Sequence, residues 1–217
     1  MIEFDPHTKG KSLLIDSNPL CTLECYSCAR QDRRDRGQTP SFGNHIMTPD
    51  ELRLVIKHYE YISFCGQMSD PIFNPHFIEM LEILHENNKW TEIRTAATSK
   101  KFNLKWYEKA FNANPNAIWI FGIDGVDDSS ALYRVNQDTN LLFEAMKLGV
   151  SLGLDIKWQY LIFSYNESNI EEAVDMAKDM GVELHLTLSS RFFRKDDPFK
   201  PRNSNYYIER TPDWWNQ

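Results

Sequence analysis

No apolar run in this 217-residue chain approaches the ~18 residues that span a membrane. The opening stretch, MIEFDPHTKGK, lacks the charged-then-apolar layout of a secretory signal. Positive charge is not in excess: 24 Lys and Arg stand against 31 Asp and Glu, for a net charge of −7. A general attraction to nucleic acid is therefore unlooked for, and neither a membrane nor a nucleic-acid partner is expected. The six histidines show no H-x3-H or H-E-x-x-H spacing, which removes that class of zinc enzyme. No G-x-S-x-G elbow and no G-x4-G-K-[ST] phosphate loop occurs, which removes two common routes to hydrolase and nucleotide chemistry. Cysteine is scarce, with four residues. Three of them crowd into one short stretch, which fits reduced thiols in a cytoplasmic setting better than a disulfide framework.

What is present is an alternating chain. A hydrophobic content of 41% suits one domain over residues 1–217 with a sizeable core. Apolar runs predict strands at 12–16, 61–65, 91–95, 117–123, 156–163 and 182–188. Helical spacing predicts helices at 49–60, 75–88, 104–112, 139–152 and 168–180. Thr48, Pro49 and Glu51 form a capping-box signature at the start of the first of these. Gly181 is the expected end of the last. Residues 31–47 read as a long polar loop, and residues 191–217 as a mostly irregular tail. The basic run Arg30 to Arg36 is broken by Asp32 and Asp35 and reads as a solvated loop, or as a contact for an anionic substrate or a reductase. Strands alternating with helices imply an α/β fold with parallel strands and right-handed crossovers. Six units are too few for a closed eight-stranded barrel. A doubly wound sheet is the structural alternative, and in either case ligands belong at the C-terminal strand ends.

Residues 17–30, SNPLCTLECYSCAR, follow the first strand and carry Cys21, Cys25 and Cys28 as C-x3-C-x2-C. Three thiolates in one loop are soft ligands suited to zinc or an iron–sulfur cluster. A structural zinc site normally takes four protein ligands, so three is informative. The motif and its place after an N-terminal strand resemble the cluster loop of the radical SAM superfamily. The resemblance implies a partial (β/α)6 TIM-type barrel over about residues 10–190. It implies a 4Fe-4S cluster on Cys21, Cys25 and Cys28, whose open iron takes the amino and carboxylate groups of S-adenosylmethionine. Reduction would cleave that molecule to methionine and a 5'-deoxyadenosyl radical, which abstracts hydrogen from a substrate. The absence of a second cysteine cluster implies a short, core-only member without an auxiliary-cluster SPASM domain. Family members carry a large apolar or aromatic residue just before the third cysteine; here Ser27 stands there, with Tyr26 one place earlier.

The resemblance also nominates contacts to S-adenosylmethionine at the strand ends. Residues 65–71, CGQMSDP, stand where relatives carry a Gly-Gly-Glu stretch; Gly66 is kept, and Gln67, Ser69 and Asp70 supply polar atoms for an ammonium group. Thr95 of TAATS stands where relatives have Thr-Asn-Gly, facing the methionine carboxylate. Asp124 of FGIDG could accept from ribose hydroxyls. Arg134 presents a guanidinium fork that matches a carboxylate. Strand alternation groups Gln159 with Leu161 and Phe163, so Gln159 points into the barrel if they do. Asn166 could reach adenine. Each has an ordinary reading as a turn, cap or satisfied strand-end residue. Tyr133 and Asn136 could line a substrate opening, and Trp214 and Trp215 could cover the open end of the barrel.

Two other classes stay open on the sequence. One is a zinc-binding structural or interaction module using Cys21, Cys25, Cys28 and Cys65. The other is a degenerate protein that binds cluster and S-adenosylmethionine without turnover. For the enzyme, the expected partners are an electron donor such as flavodoxin or ferredoxin and a peptide or small-molecule substrate, with a peptide or protein side chain preferred.

Overall fold

The alternation of apolar strands and amphipathic helices closes into one parallel sheet. A computed structural model of the chain describes residues 12–38, 43–66, 68–192 and 196–209. The strands are β1 (Ser12–Ile15), β2 (Tyr61–Phe64), β3 (Trp90–Thr95), β4 (Ile118–Gly122), β5 (Asp155–Leu161) and β6 (Glu183–Thr187). Their order in the sheet is the chain order, and each pairs in parallel with the next. That order has no reversal, so the doubly wound alternative, which needs a switch point, is excluded. The architecture is a partial (β/α)6 barrel. Among the described residues six α-helices accompany the strands: α1 (Ala29–Asp35), α2 (Pro49–Val55), α3 (Phe77–Glu86), α4 (Leu104–Ala113), α5 (Thr139–Ser151) and α6 (Ile170–Met180).

Period-two alternation divides the sheet into two faces. Towards the helices point Ile62, Phe64, Ile93, Trp119, Phe121, Ile156, Trp158 and Tyr160, all buried in one core with Phe77, Leu81, Tyr107, Phe111, Leu142 and Met146. Each large side chain buried here contributes about 1.5–3 kcal/mol. The other face is mostly polar, with Ile118, Ile120 and Leu161 among its apolar members. Ser63 donates to Glu92 at 3.0 Å, Arg94 pairs with Glu92 at 2.8 Å, and Lys157 pairs with Glu183 at 3.0 Å. His185, on the same face, pairs with Glu183 at 2.8 Å. A parallel sheet wrapped by helices on both sides would carry apolar residues on both; the polar inner face marks an open barrel interior.

Local signals set several boundaries as the sequence leads one to expect. The Thr48 hydroxyl accepts from Glu51 N–H while the Glu51 carboxylate accepts from Thr48 N–H, completing the capping box. Gly181 ends α6 at φ 71°, the left-handed region that glycine tolerates. Three expectations need correction. The polar stretch from residue 31 is not all loop: α1 begins directly after Cys28 and runs to Asp35. The helix expected over 49–60 ends at Val55 and passes into turns before β2. The fifth strand stops at Leu161, because Phe163 N–H is taken by the Asn166 side chain at 2.7 Å.

Among the described residues the tail is irregular apart from a short 3-10 turn at Ser204–Tyr206 and a bridge between Ser189 and Tyr207, yet it is tied down. Ser164 N–H donates to the Phe199 carbonyl at 3.0 Å, and the Glu167 carboxylate accepts from the backbone of Arg202 and Asn203. Residues 196–209 thus form a strap beside the open side of the barrel. Trp214 and Trp215, offered above as a cover, lie outside the described residues, as does Gln67.

Candidate metal and cofactor site

The loop after β1 is anchored at both ends before it presents its thiols. Asn18 is fully buried; its amide donates to the Asp70 carbonyl at 3.0 Å, and its oxygen accepts from Leu20 N–H at 2.7 Å. Leu23, 2% exposed, plugs the loop into the protein. Glu24 and Tyr26 N–H groups donate to the carbonyls of Val135 and Tyr133 at 3.1 and 3.3 Å. The Thr22 hydroxyl donates to the Thr98 carbonyl at 2.7 Å, and the Asn136 amide to the Thr22 carbonyl at 3.2 Å. Asn136, nominated for a substrate opening, is spent on this anchoring. Arg30, from the first turn of α1, folds back under the loop: its guanidinium donates to the carbonyls of Leu23 and Cys21. Arg34 reaches the same Cys21 carbonyl at 3.0 Å.

Cys21, Cys25 and Cys28, each half-buried, line one cavity of about 420 Å³ at the C-terminal ends of the strands. Burial pushes the Cys21 thiol up to about 12, with Asp70 adding to the effect and Arg30 opposing it. Burial likewise pushes Cys25 up to about 11, against the pull of Arg134. Without a metal these thiols keep their protons, and a metal centre must displace them on binding.

The donor set can be held against two kinds of centre. Four thiolates on one zinc ion at about 2.3 Å would stand roughly 4 Å apart. Among the described residues, no three His, Cys, Asp or Glu side chains are drawn together to hold a single ion. A cluster offers a separate iron to each thiolate, so its sulfurs stand wider apart around a shared space. Three thiols of one loop lining one cavity supply the three protein ligands that such a cluster takes.

The other nominated residues divide into wall and scaffold. Gly66, Ser69, Asp70, Thr95, Arg134 and Gln159 line the cavity; Asp124 and Asn166 do not. Asp70 is a clamp: its carboxylate accepts from the Thr95 hydroxyl and from the N–H groups of Ile72, Ala96 and Ala97, at 2.9–3.3 Å. Burial pushes its carboxyl above the usual range, and those hydrogen bonds pull the other way. Thr95 is thereby spent on Asp70. Ser69 donates to Asp16 at 3.1 Å, as does the Met68 N–H. Asp124, with no exposure, accepts from Arg134 Nε at 2.6 Å, Arg134 Nη2 at 3.3 Å and Leu161 N–H at 2.9 Å. It orients the guanidinium and has no open side for a ribose. Asn166 donates to the carbonyls of Asp124 and Leu161 and accepts from Phe163 N–H, so all its polar atoms close the turn after β5.

Gly66 has φ +57°, and a Cβ there would stand 2.9 Å from the Ser69 carbonyl oxygen. Gly66→Ala is therefore expected to destabilise the protein by about 1–3 kcal/mol and to reshape the wall opposite the thiols. Denaturant unfolding checks the first effect. A wild-type midpoint in the alanine variant would contradict it.

Arg94, Asp16 and Arg191 were not nominated from the sequence, yet the two arginines line the cavity and Asp16 holds its 68–69 wall; Arg30, which the sequence put in a solvated loop or a contact for an anionic substrate or a reductase, is buried and lines the cavity too. The Arg30 contact follows from α1 starting at Ala29, which the polar pattern concealed. One side of the cavity carries an aromatic group. The Tyr133 and Phe163 rings stack at 4.2 Å, and Phe199 of the strap meets Tyr133 at 5.2 Å and Tyr26 at 4.8 Å.

No protein-family model matches the chain, and no curated protein matches it in sequence. Solved structures do resemble it in fold. Streptococcus suis SuiB bound to S-adenosylmethionine superposes with a TM-score of 0.66 at 13% identity, over 88% of this chain and 43% of that one. The anSMEcpe protein with bound AdoMet and a Cp18Cys peptide gives 0.58 at 14%, over 81% and 49%. Methylornithine synthase (PylB) gives 0.56 at 13%, over 87% and 58%. The chain thus spans under half the length of SuiB and about half that of anSMEcpe, and what it shares with all three is the fold.

Proposed function

We propose that this chain is a radical SAM enzyme in which Cys21, Cys25 and Cys28 hold a 4Fe-4S cluster and the adjoining cavity holds S-adenosylmethionine. One observation carries the reading: three cysteines of one anchored loop face a single cavity at the strand ends of a partial barrel. SuiB and anSMEcpe, solved with S-adenosylmethionine, share that fold. A cluster bound there supplies the electron for reductive cleavage of S-adenosylmethionine, the source of a hydrogen-abstracting radical.

The chain's own residues have narrower tasks. Arg30 holds the loop's carbonyls and brings positive charge beside an anionic centre. Arg134, aimed by Asp124, offers its cationic edge to the methionine carboxylate. Gln159 supplies an amide from the barrel interior. Tyr133, Phe163 and Phe199 keep water from one side. A flavodoxin or ferredoxin would deliver the electron, in the cytoplasm. A peptide or protein side chain is the preferred substrate; SuiB, solved also with its precursor peptide SuiA, supports that preference.

Anaerobic reconstitution with iron and sulfide tests the reading. The expected result is a brown protein with a 4Fe-4S EPR signal that changes with S-adenosylmethionine and forms 5'-deoxyadenosine under dithionite. Cys65 lines the same cavity, which is the observation favouring a zinc module. A colourless protein holding one zinc would establish that second reading and end the first. A cluster and bound S-adenosylmethionine without 5'-deoxyadenosine would leave a binding protein without turnover.

A further inference from the structure

The cavity is more cationic than the protein around it. The chain carries a net charge of −7, yet Arg30, Arg94, Arg134 and Arg191 line the cavity against one carboxylate, Asp70. Three of these guanidinium groups are engaged. Arg30 is bound to carbonyls, Arg94 to Glu92 and Arg134 to Asp124. Arg191 is exposed and has no carboxylate partner among the described residues. Its backbone is nonetheless fixed. Arg191 N–H donates to the Ser189 hydroxyl at 3.1 Å, and the Ser189 carbonyl accepts from Ile208 N–H of the strap at 3.0 Å.

The wall around Arg191 carries hydroxyls and no carboxylate among the described residues. Thr187, Ser189 and Ser190 line the same end of the cavity; the Thr187 hydroxyl donates to the His185 carbonyl at 3.4 Å, and the Ser189 hydroxyl, which accepts from Arg191 N–H, keeps its own proton to donate. A guanidinium with hydroxyls and no carboxylate is a set that receives an anion. Arg134 and Arg191 both stand close enough to Tyr133 to draw its phenol down, against the larger effect of burial. Of these two cations of the cavity, Arg134 follows β4 in the chain and Arg191 follows β6.

We propose that the Arg191 end of the cavity binds a carboxylate of the substrate, so the substrate is an acid. This rests on the proposed function, in which Arg134 serves S-adenosylmethionine and leaves Arg191 for the second molecule. One guanidinium fork matches one carboxylate. The same fork also fits a phosphate, but a dianion carries twice the charge of one guanidinium, and among the described residues that line this end of the cavity there is neither a second cation nor a helix N-terminus.

Arginine-selective labelling of the reconstituted protein with phenylglyoxal, read residue by residue by mass spectrometry, tests this. Exposed Arg202 is the internal reference. Glutarate is expected to slow labelling of Arg191 about fivefold or more at saturating concentration, with Arg202 unchanged. The neutral glutaramide should protect nothing, and S-adenosylmethionine alone should leave Arg191 reactive. A Glu-containing peptide amide that protects at lower concentration than glutarate assigns the carboxylate to a peptide side chain; the reverse order assigns it to a small acid. Equal labelling with and without either acid overturns the proposal. So does protection by S-adenosylmethionine alone, which would place Arg191 in the cofactor site, or stronger protection by inorganic phosphate. If the protein takes up no cluster, the proposed function fails, while labelling of the metal-free chain still reports whether Arg191 holds an acid.

Discussion

Alanine at Cys21, Cys25 or Cys28 is expected to abolish iron retention: about four irons per reconstituted chain should fall below about one. Colour and 5'-deoxyadenosine formation should fall to the level seen without protein. The fold should survive, because the loop hangs on contacts that do not involve sulfur. Asn18, Leu23 and the guanidinium of Arg30 hold it from within, and Thr98, Tyr133 and Val135 from without. Circular dichroism of each variant should match the parent. Cys65→Ala is the contrast. Its thiol lies at the end of β2, 3.8 Å from the Ile15 carbonyl, and its removal should leave iron content unchanged. Equal metal loss from all four variants, with zinc as the native metal, would replace the cluster with a four-thiolate site.

Arg134→Met is expected to cost about 3–5 kcal/mol, because it strands a buried carboxylate. Asp124 has no exposure, and without Arg134 it would keep one donor, the Leu161 N–H. For a chain of this size the melting temperature should drop by roughly 6–20 °C. Removing both charges, as Asp124→Leu with Arg134→Met, should recover part of that loss, since the charge is then gone along with its partner. Affinity for S-adenosylmethionine should not recover, because the guanidinium edge that faces the cavity is missing in both. Gly122 adds a constraint: a Cβ there would come within 3.0 Å of Arg134 Nη2, so the strand end is shaped to the guanidinium above it. Thermal melts and equilibrium dialysis with S-adenosylmethionine separate the two effects. Full affinity in Arg134→Met would remove Arg134 from the cofactor site.

Much of the frame is legible without coordinates because its signals are local. The Thr48–Glu51 box, the αL glycine at 181 and the apolar runs of β2 to β5 each report on neighbours within a few residues. The three cysteines are legible for the same reason, lying within one short loop. Boundaries that depend on distant partners are not. The helix after Cys28 hides behind a polar run, and its Arg30 is buried only because two carbonyls of the cysteine loop await donors. Asp124 and Asn166 read as ligand contacts from their strand-end positions; they turn inward because Arg134 and the turn after β5 leave buried groups to satisfy.

The sequence by itself determined the alternation of strand and helix, the caps, and the grouping of three soft ligands on one loop. These follow from periodicity and spacing along the chain. Only the tertiary structure decided which polar side chains form the wall and which brace it, and that Arg134 is paired with Asp124 while Arg191 has no carboxylate partner among the described residues. A buried polar atom takes whichever partner lies within about 3 Å, and that partner is set by how the strand ends converge.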